Sequence, residues 1–441
     1  MEFPVKRLLF HCQNCGSCLL SQTRMKCPMN CPKGLRNGPC GGTLGGLCEV
    51  YADRACVWME IQKESACVAA APIHAPFDPS LLGSSSYLNL ATKADAPTRL
   101  PLPFPELPSK PHALPPVTAS RLERRLLSGD LVLTAEVCSP RSAADFGRVD
   151  REVAALIPHL DAFNATSNQG GVETVSSFET ALRIKHWGGE PILQICARDV
   201  DPSRFLDEVA RAHENGIINI LSLTGDWPVS KVRAPVSVKE THGRVFRMDS
   251  SQMIYELQAL RATGRSAFVP GRRLPGASPF IGGVINPYST PRHVALSRLA
   301  QKEACGMEFV QTQVVTDADA YIDWVRELEE HGLRDRIHLI PSIPVITKKK
   351  PLEIMAHLKG VSLPPDLFAQ LEAASDLEAT GMEFARRLIR RLVETRTAEG
   401  FHLTRFGAKN EQLIELASYA RSLAEKNKTV PSKNPILEGA R

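Results

Sequence analysis

The sequence lacks both a long apolar run and a large block of charge of one sign. Its longest apolar stretches, such as IINILSL at 217–223, fall well short of the roughly 20 residues that a membrane-spanning helix needs, so no membrane span is expected. The net charge is +5, from 53 basic and 48 acidic residues, and the only basic clusters that stand out are KKK at 348–350 and RRLIRR at 386–391. Binding to nucleic acid is therefore not indicated.

Several targeting and cofactor motifs are also missing. The N-terminus MEFPVKRLLFHCQNC has a short apolar patch that is interrupted by His and Cys, which does not fit a secretory signal and leaves a cytoplasmic location as the expectation. No GxxxxGK[ST] or HExxH motif is present, and the glycine cluster GGTLGG at 41–46 lacks the GxGxxG spacing and a preceding strand. These absences argue against the common nucleotide-binding and zinc-protease sites.

Cysteine is plentiful but unevenly placed, since nine of the 12 cysteines lie in the first 67 residues. In a reducing cytosol such a cluster indicates metal ligation rather than disulfides. The C-x2-C-x2-C opening is typical of iron–sulfur ligation, and eight thiolates are enough for two four-ligand sites. The spacing leaves open zinc, an iron–sulfur cluster or one of each. The predicted ligands are Cys12, Cys15, Cys18, Cys27, Cys31, Cys40, Cys48 and Cys56.

Composition divides the chain into four parts. Residues 1–71 form the cysteine-rich module, and residues 72–120 form a proline-rich linker that includes LPLPFPELPSKPHALPPV. Residues 121–428 are predicted to form a large domain, and 429–441 a flexible tail.

The large domain alternates short β-branched segments with amphipathic ones. Helical segments such as PSRFLDEVARAHENG carry apolar residues at helical spacing and end on glycine. Eight strand signals over about 300 residues predict a (β/α)8 TIM barrel, and the first strand lacks the glycine-rich turn that a doubly wound sheet would show. The predicted strands lie at 131–137, 160–166, 191–197, 217–226, 280–287, 309–315, 337–346 and 401–407.

Polar residues at the predicted strand ends are the candidates for chemistry, because catalytic groups in such barrels lie where the strands end. Glu136 ends the first strand and Asp226 ends the fourth, and a carboxylate among apolar neighbours needs a partner or a task. Gln313 ends the sixth strand, where its amide could bind a heterocycle. Lys302 precedes that strand and could meet a phosphate or carboxylate.

The order of these motifs resembles methylenetetrahydrofolate reductase, a flavin-dependent barrel. The shared features are E-x-x-x-P on the first strand, NATSN after the second, LTGD on the fourth and K…G…TQ at the sixth, within about 131–407. The resemblance implies that Glu136 is the general acid toward the folate nitrogen and that Asp226 tunes hydride transfer near the flavin and pterin. It implies that Gln313 binds the pterin.

The same resemblance implies bound FAD and a folate substrate. The residues that it places around FAD are Thr166, Gln194, Thr224, Gly225, Asp226 and Lys302, the last near the phosphates; Gln194 stands where many members have His. Members that use NAD(P)H have an aromatic residue after strand seven. Here the segment reads IPSIPVITKKKPLEIM, with Lys348 or Lys349 at that position, which puts direct use of NAD(P)H in doubt.

The cysteine module resembles the metal-binding subunit or domain that accompanies this reductase in acetogens and other bacteria. The match runs from CxxCGxC through CPMxCPKGLRNGPCGG to CVW at 56–58, and Cys67 is additional. It implies an iron–sulfur cluster, expected to be 4Fe–4S, or zinc, or both. We therefore expect an electron donor, either a protein or NAD(P)H, to reduce the module and the module to reduce FAD. A homo-oligomer is compatible with this scheme.

Two other functions remain open at this stage. A barrel methyltransferase, moving a methyl group between folate and a corrinoid or thiol, would need no flavin. Alternatively, the cysteine module is a purely structural zinc or docking domain attached to a reductase.

Overall fold

A computed structural model describes residues 2–63 apart from 44 and 52, 73–84 apart from 82, 120–227 apart from 167, 170 and 171, and 246–428 apart from 359. Cys67, residues 85–119 of the predicted linker and the predicted tail 429–441 lie outside this described part. None of the described helices has the length and apolar composition that crossing a membrane requires.

The N-terminal module consists mainly of turns. Its helices are α1 (Glu2–Phe10) and α2 (Val57–Gln62). One side of the module joins the main hydrophobic core of the large domain through Leu35, Trp58 and Ile61. A second, smaller core of its own contains Leu20, Met29 and Phe77 together with two of the cysteines. The module is therefore packed directly onto the large domain.

The large domain is a closed barrel of eight parallel strands in sequence order, with β8 pairing back onto β1, which confirms the predicted (β/α)8 fold. All eight segments predicted as strands overlap an observed strand. The strands are β1 (Val132–Cys138), β2 (Ala162–Thr166), β3 (Pro191–Cys196), β4 (Asn219–Leu223), β5 (Phe280–Ile285), β6 (Phe309–Val314), β7 (His338–Ile346) and β8 (Gly400–Phe406).

Several helices begin or end on capping residues. Asp201 caps the helix that starts at Pro202, and Asp249 forms a capping box with Gln252. Gly264 ends that second helix at a φ of 65°, which favours glycine. The helices are α3 (Arg121–Leu127), α4 (Phe146–Leu156), α5 (Ser177–His186), α6 (Pro202–Glu214), α7 (Ser250–Thr263), α8 (Arg292–Ala304), α9 (Ala318–Glu330), α10 (Lys349–Ala356), α11 (Pro365–Glu372), α12 (Leu377–Glu394) and α13 (Asn410–Lys428).

The barrel interior is apolar at the amino ends of the strands. Leu122 and Leu126 of α3 pack against a buried layer that includes Phe280 and Phe309, whose rings stack at 4.9 Å. Gly282 leaves the room for this stack, because a Cβ atom there would lie 2.2 Å from the Phe309 ring. The closed, apolar end leaves the carboxyl end of the barrel for polar chemistry.

Adding one methyl group at Gly282 tests this packing. We expect Gly282→Ala to lower the free energy of unfolding by about 1–3 kcal/mol, because the Phe309 ring must shift in a filled core. Gly147→Ala on α4 is the matched control, since its Cβ meets nothing closer than 3.6 Å and Ala favours the helix. Urea unfolding followed by circular dichroism measures both, and equal stability of the two variants would contradict the packing argument.

Candidate functional site

The carboxyl ends of the strands carry polar side chains on their inward faces. Side chains alternate along a strand, so Thr134 and Glu136 of β1 both point into the barrel. The same spacing relates Asn164 to Thr166 on β2 and Gln311 to Gln313 on β6. The predicted residues Glu136, Thr166, Gln194 and Gln313 thus end strands at one rim of the barrel.

Glu136 is the best-defined group of this rim. Its side chain is 25% exposed, its Oε1 lies 3.8 Å from His402 Nε2, and its Oε2 accepts a hydrogen bond of 3.2 Å from Gln169. Desolvation alone would raise the pKa of Glu136, but the nearby His402 imidazole, helped by Gln169 and Arg405, lowers the pKa below its ordinary value. These interactions favour the ionised form of the Glu136 carboxyl group.

A buried polar network supports Glu136 from below. His402 Nδ1 lies 2.8 Å from Thr134 Oγ1, and the Gln311 amide donates to Asn164 Oδ1 at 3.0 Å. Gln311 also donates to Thr134 at 3.3 Å, which joins the two pairs. None of these four was predicted from the sequence as a site residue, although Asn164 is the first residue of the NATSN motif. Three of them could have been found as polar residues two positions before a predicted site residue on the same strand. His402 could have been found as a lone histidine on a buried strand.

Asp226 lies in the turn after β4, where Gly225 has a φ of 85°. Desolvation raises the pKa of Asp226, and the nearby Glu49 carboxylate raises it further. The Lys33 ammonium and the Arg198 guanidinium oppose this rise without cancelling it. Asp226 and Glu136 are therefore shifted in opposite directions by their surroundings.

Lys302 lies at the contact between the barrel and the module. Its side chain is buried and its Nζ donates to the Val284 carbonyl at 2.7 Å. Burial lowers the pKa of Lys302 to about 7, and the charge of Arg298 adds to this lowering. The adjoining cavity has a volume of about 50 Å³. Its walls include Cys40 and Gly41 of the module, besides Thr224, Ser250, Asn286, Arg298 and Lys302 of the barrel.

The module's eight predicted ligand cysteines are free thiols that fall into two sets. Cys12, Cys15, Cys18 and Cys27 line one cavity of about 10 Å³. Cys31, Cys48 and Cys56 interact electrostatically with one another, and Cys40 with Cys31. In the described part of the chain, no three His, Cys, Asp or Glu side chains converge closely enough to hold a single metal ion.

The segment after β7 carries lysines where an aromatic residue would stand in members that use NAD(P)H. Lys348 is the N-cap of α10, and Lys348, Lys349 and Lys350 are all exposed. The Gly407 backbone after β8 approaches the Lys348 side chain closely, since a Cβ on Gly407 would lie 2.8 Å from it. This side of the rim therefore presents cationic side chains.

Comparison with known proteins gives two family matches. Residues 121–416 match the family described as methylenetetrahydrofolate reductase, and residues 1–75 match the family described as methylene-tetrahydrofolate reductase C terminal. Methylenetetrahydrofolate reductase 2 of Schizosaccharomyces pombe is 26% identical over 53% of this chain and 36% of that protein. A probable methylenetetrahydrofolate reductase (NADH) of Oryza sativa is 21% identical over 62% of this chain and 46% of that protein. The matched region thus spans less than half of these relatives.

Among solved structures, a protein from Clostridium thermocellum, described as binding two copies of 5-methyl-5,6,7,8-tetrahydrofolic acid, is similar in fold. Its TM-score is 0.50 at 16% identity, over 68% of this chain and 99% of that one. At this identity the likeness shows the barrel fold alone.

Removing His402 tests the electrostatics of Glu136. We expect His402→Leu to raise the pKa of Glu136, because the largest interaction opposing desolvation is lost. Carbon-13 NMR of labelled glutamate carboxyls measures the titration, with Glu136→Gln to assign the resonance. His357→Leu on the exposed end of α10 is the control, and an unchanged midpoint in His402→Leu would contradict the assignment.

Proposed function

We propose that this chain, which belongs to the methylenetetrahydrofolate reductase family, is an oxidoreductase that interconverts 5,10-methylene-tetrahydrofolate and 5-methyl-tetrahydrofolate. The observation that carries the proposal is the barrel rim of the domain that matches the family, where Glu136 lies near the end of β1 with a lowered pKa and Asp226 lies in the turn after β4 with a raised pKa. Two carboxyl groups with oppositely shifted pKa values suit proton transfer and charge stabilisation in one site.

Glu136 would exchange a proton with the folate nitrogen that leaves or returns as the methylene bridge opens or closes. As an ionised group it is ready to accept that proton in the oxidising direction. In the reducing direction it must first be protonated, and the imidazole of His402, 3.8 Å away, is the neighbouring group through which a proton can arrive. The Thr134 hydroxyl holds the far side of that ring and fixes its orientation.

Asp226 and Gln313 would bind the pterin ring. A carboxylate and an amide at the rim can accept and donate hydrogen bonds to the ring's amino and carbonyl groups. Asp226 is exposed, so it is open to a ligand from the barrel mouth. Gln313 is half-buried on β6 and faces the same end of the barrel.

FAD is the cofactor that the family implies, and when bound it supplies the hydride transfer. The Thr166 hydroxyl is buried without a hydrogen-bond partner in the described part of the chain, a gap that a ligand at the rim would fill. Gln194 lies on β3, and Thr224 and Gly225 lie in the turn after β4. Lys302 has the right charge for phosphate, but its cavity has room for one or two waters, so FAD there requires the module segment 39–41 to give way.

The module would bring reducing equivalents to the barrel. Cys40 lines the same cavity as Thr224 and Lys302, which puts a predicted metal ligand directly beside residues assigned to the cofactor. The exposed Lys348 in place of an aromatic residue supports a donor other than NAD(P)H stacked on the rim. An electron-donor protein acting through the module fits both observations.

We further propose that the two cysteine sets hold two separate metal centres. Cys12, Cys15, Cys18 and Cys27 line one cavity, and four thiolates are the number that zinc or an iron–sulfur cluster takes, but these side chains must move closer together to share one ion. Burial raises the pKa of the Cys27 thiol, and of Cys31 to about 12, so these thiols need a bound cation to become thiolates at neutral pH.

Replacing the Glu136 carboxyl tests the catalytic assignment. We expect Glu136→Gln to lower the rate of 5-methyl-tetrahydrofolate oxidation by about 10²–10⁴-fold, because the amide cannot exchange the proton. The rate is measured with an artificial electron acceptor under anaerobic conditions. Glu425→Gln, on the exposed face of α13, is the control and keeps full activity. A Glu136→Gln rate within twofold of the wild type would exclude this residue as the proton-transfer group.

Metal and flavin analysis tests the two centres. After anaerobic purification we expect iron and sulfide, or zinc, in the wild type, and Cys15→Ser to lose the metal of one set while retaining that of the other. Cys138→Ser, in the barrel, is the control for metal content. FAD released on denaturation excludes a flavin-free methyltransferase, and zinc without iron or sulfide would favour a structural module.

A further inference from the structure

Lys33 and Glu49 of the module form an ion pair buried at the contact with the barrel. Lys33 Nζ lies 2.6 Å from Glu49 Oε2, and the two side chains are 2% and 3% exposed. Removing two charges from water offsets most of their attraction, so a buried pair is weak support for stability alone. The other hydrogen bonds of this ion pair therefore indicate whether it has a role besides stability.

The remaining hydrogen bonds of the pair go to the two peptide groups that flank Asp226. Lys33 Nζ also donates to the Gly225 carbonyl at 2.8 Å. The other carboxylate oxygen, Glu49 Oε1, accepts the Trp227 amide N–H at 2.8 Å. One module residue therefore holds the backbone before Asp226, and the other holds the backbone after it.

In the described part of the turn, another side-chain hydrogen bond to the barrel runs from Thr224 Oγ1 to Ser250 Oγ at 3.0 Å, two residues before Asp226. β4 ends at Leu223, and Gly225 has the left-handed φ of 85° that glycine adopts readily. Trp227 packs at 6.5 Å against Phe246, whose ring also lies 5.3 Å from the Lys33 ammonium. The aromatic contact that anchors the end of the turn thus includes the same lysine.

We propose that Lys33 and Glu49 are positioning residues that fix the Asp226 carboxylate at the barrel mouth, so that the N-terminal module forms part of the active site. The inference rests on the proposed function of Asp226. Cys40 also lies beside this pair, with its Sγ 3.3 Å from Glu49 Oε2.

The test uses a variant that removes the hold without leaving a buried charge unpaired. Lys33→Met together with Glu49→Leu in the full chain replaces the pair by apolar side chains of similar size, which buried sites commonly tolerate. The matched control is Arg261→Met with Glu308→Leu. That pair, 2.8 Å apart, also binds a carbonyl (Pro279) and an amide (Ile281), but at the amino end of β5.

Two readouts separate positioning from folding. We expect kcat for 5-methyl-tetrahydrofolate oxidation to fall roughly 10²-fold in the Lys33/Glu49 variant and to change less than threefold in the control. In the Asp226→Asn background the same two substitutions should cost almost nothing further, because they act through Asp226. An equal loss of kcat with and without Asp226 would overturn the proposal.

Hydrogen exchange of the Trp227 amide tests the hold independently of any activity. The Lys33/Glu49 variant should exchange this amide faster than the wild type and the control do, with the barrel strands unchanged. Unchanged exchange overturns the positioning role. A wild type that neither binds nor oxidises 5-methyl-tetrahydrofolate instead overturns the proposed function, and the exchange result still decides whether the module holds the turn.

Discussion

Closure of eight parallel strands is the constraint on which the rest of this structure depends. It brings every strand end to one rim, so residues far apart in sequence share one site. It also forces alternate side chains into a narrow interior, where the amino-terminal layer is filled by apolar side chains and α3. The polar layer above it includes Thr134 and His402, and its side chains must find their hydrogen-bond partners within the protein.

These internal hydrogen bonds set the pKa values at the rim. The imidazole of His402 opposes desolvation at Glu136, and the result is a carboxylate that is ionised at rest. Asp226 lies in the turn after β4, where desolvation and the Glu49 carboxylate raise its pKa instead. The environment thus separates two carboxyl groups that sequence composition cannot tell apart, as acid–base sites commonly require.

The strand positions were predictable because periodicity and capping are local signals: the segment 309–315 overlaps β6, and Asp201 with Pro202 starts α6. Glu136 and Asp226 were singled out from sequence as carboxylates that follow apolar residues, but β4 ends at Leu223, so Asp226 lies in the next turn and not at the predicted strand end. His402 was missed because its partner Thr134 lies 268 residues away. Lys33 was missed for the same reason, since Gly225 is 192 residues distant and nothing near either residue signals the contact. Long-range partners of this kind become visible only when the barrel closes and the module packs against it.

The proposed interconversion of methylene- and methyl-tetrahydrofolate is tested most simply in its oxidising direction. The most direct measurement is an anaerobic titration of the purified protein with 5-methyl-tetrahydrofolate, following the visible absorbance of bound flavin and the folate products. The account predicts stoichiometric bleaching of the flavin together with formation of 5,10-methylene-tetrahydrofolate. A protein that contains flavin yet is neither bleached nor yields the methylene product would contradict it.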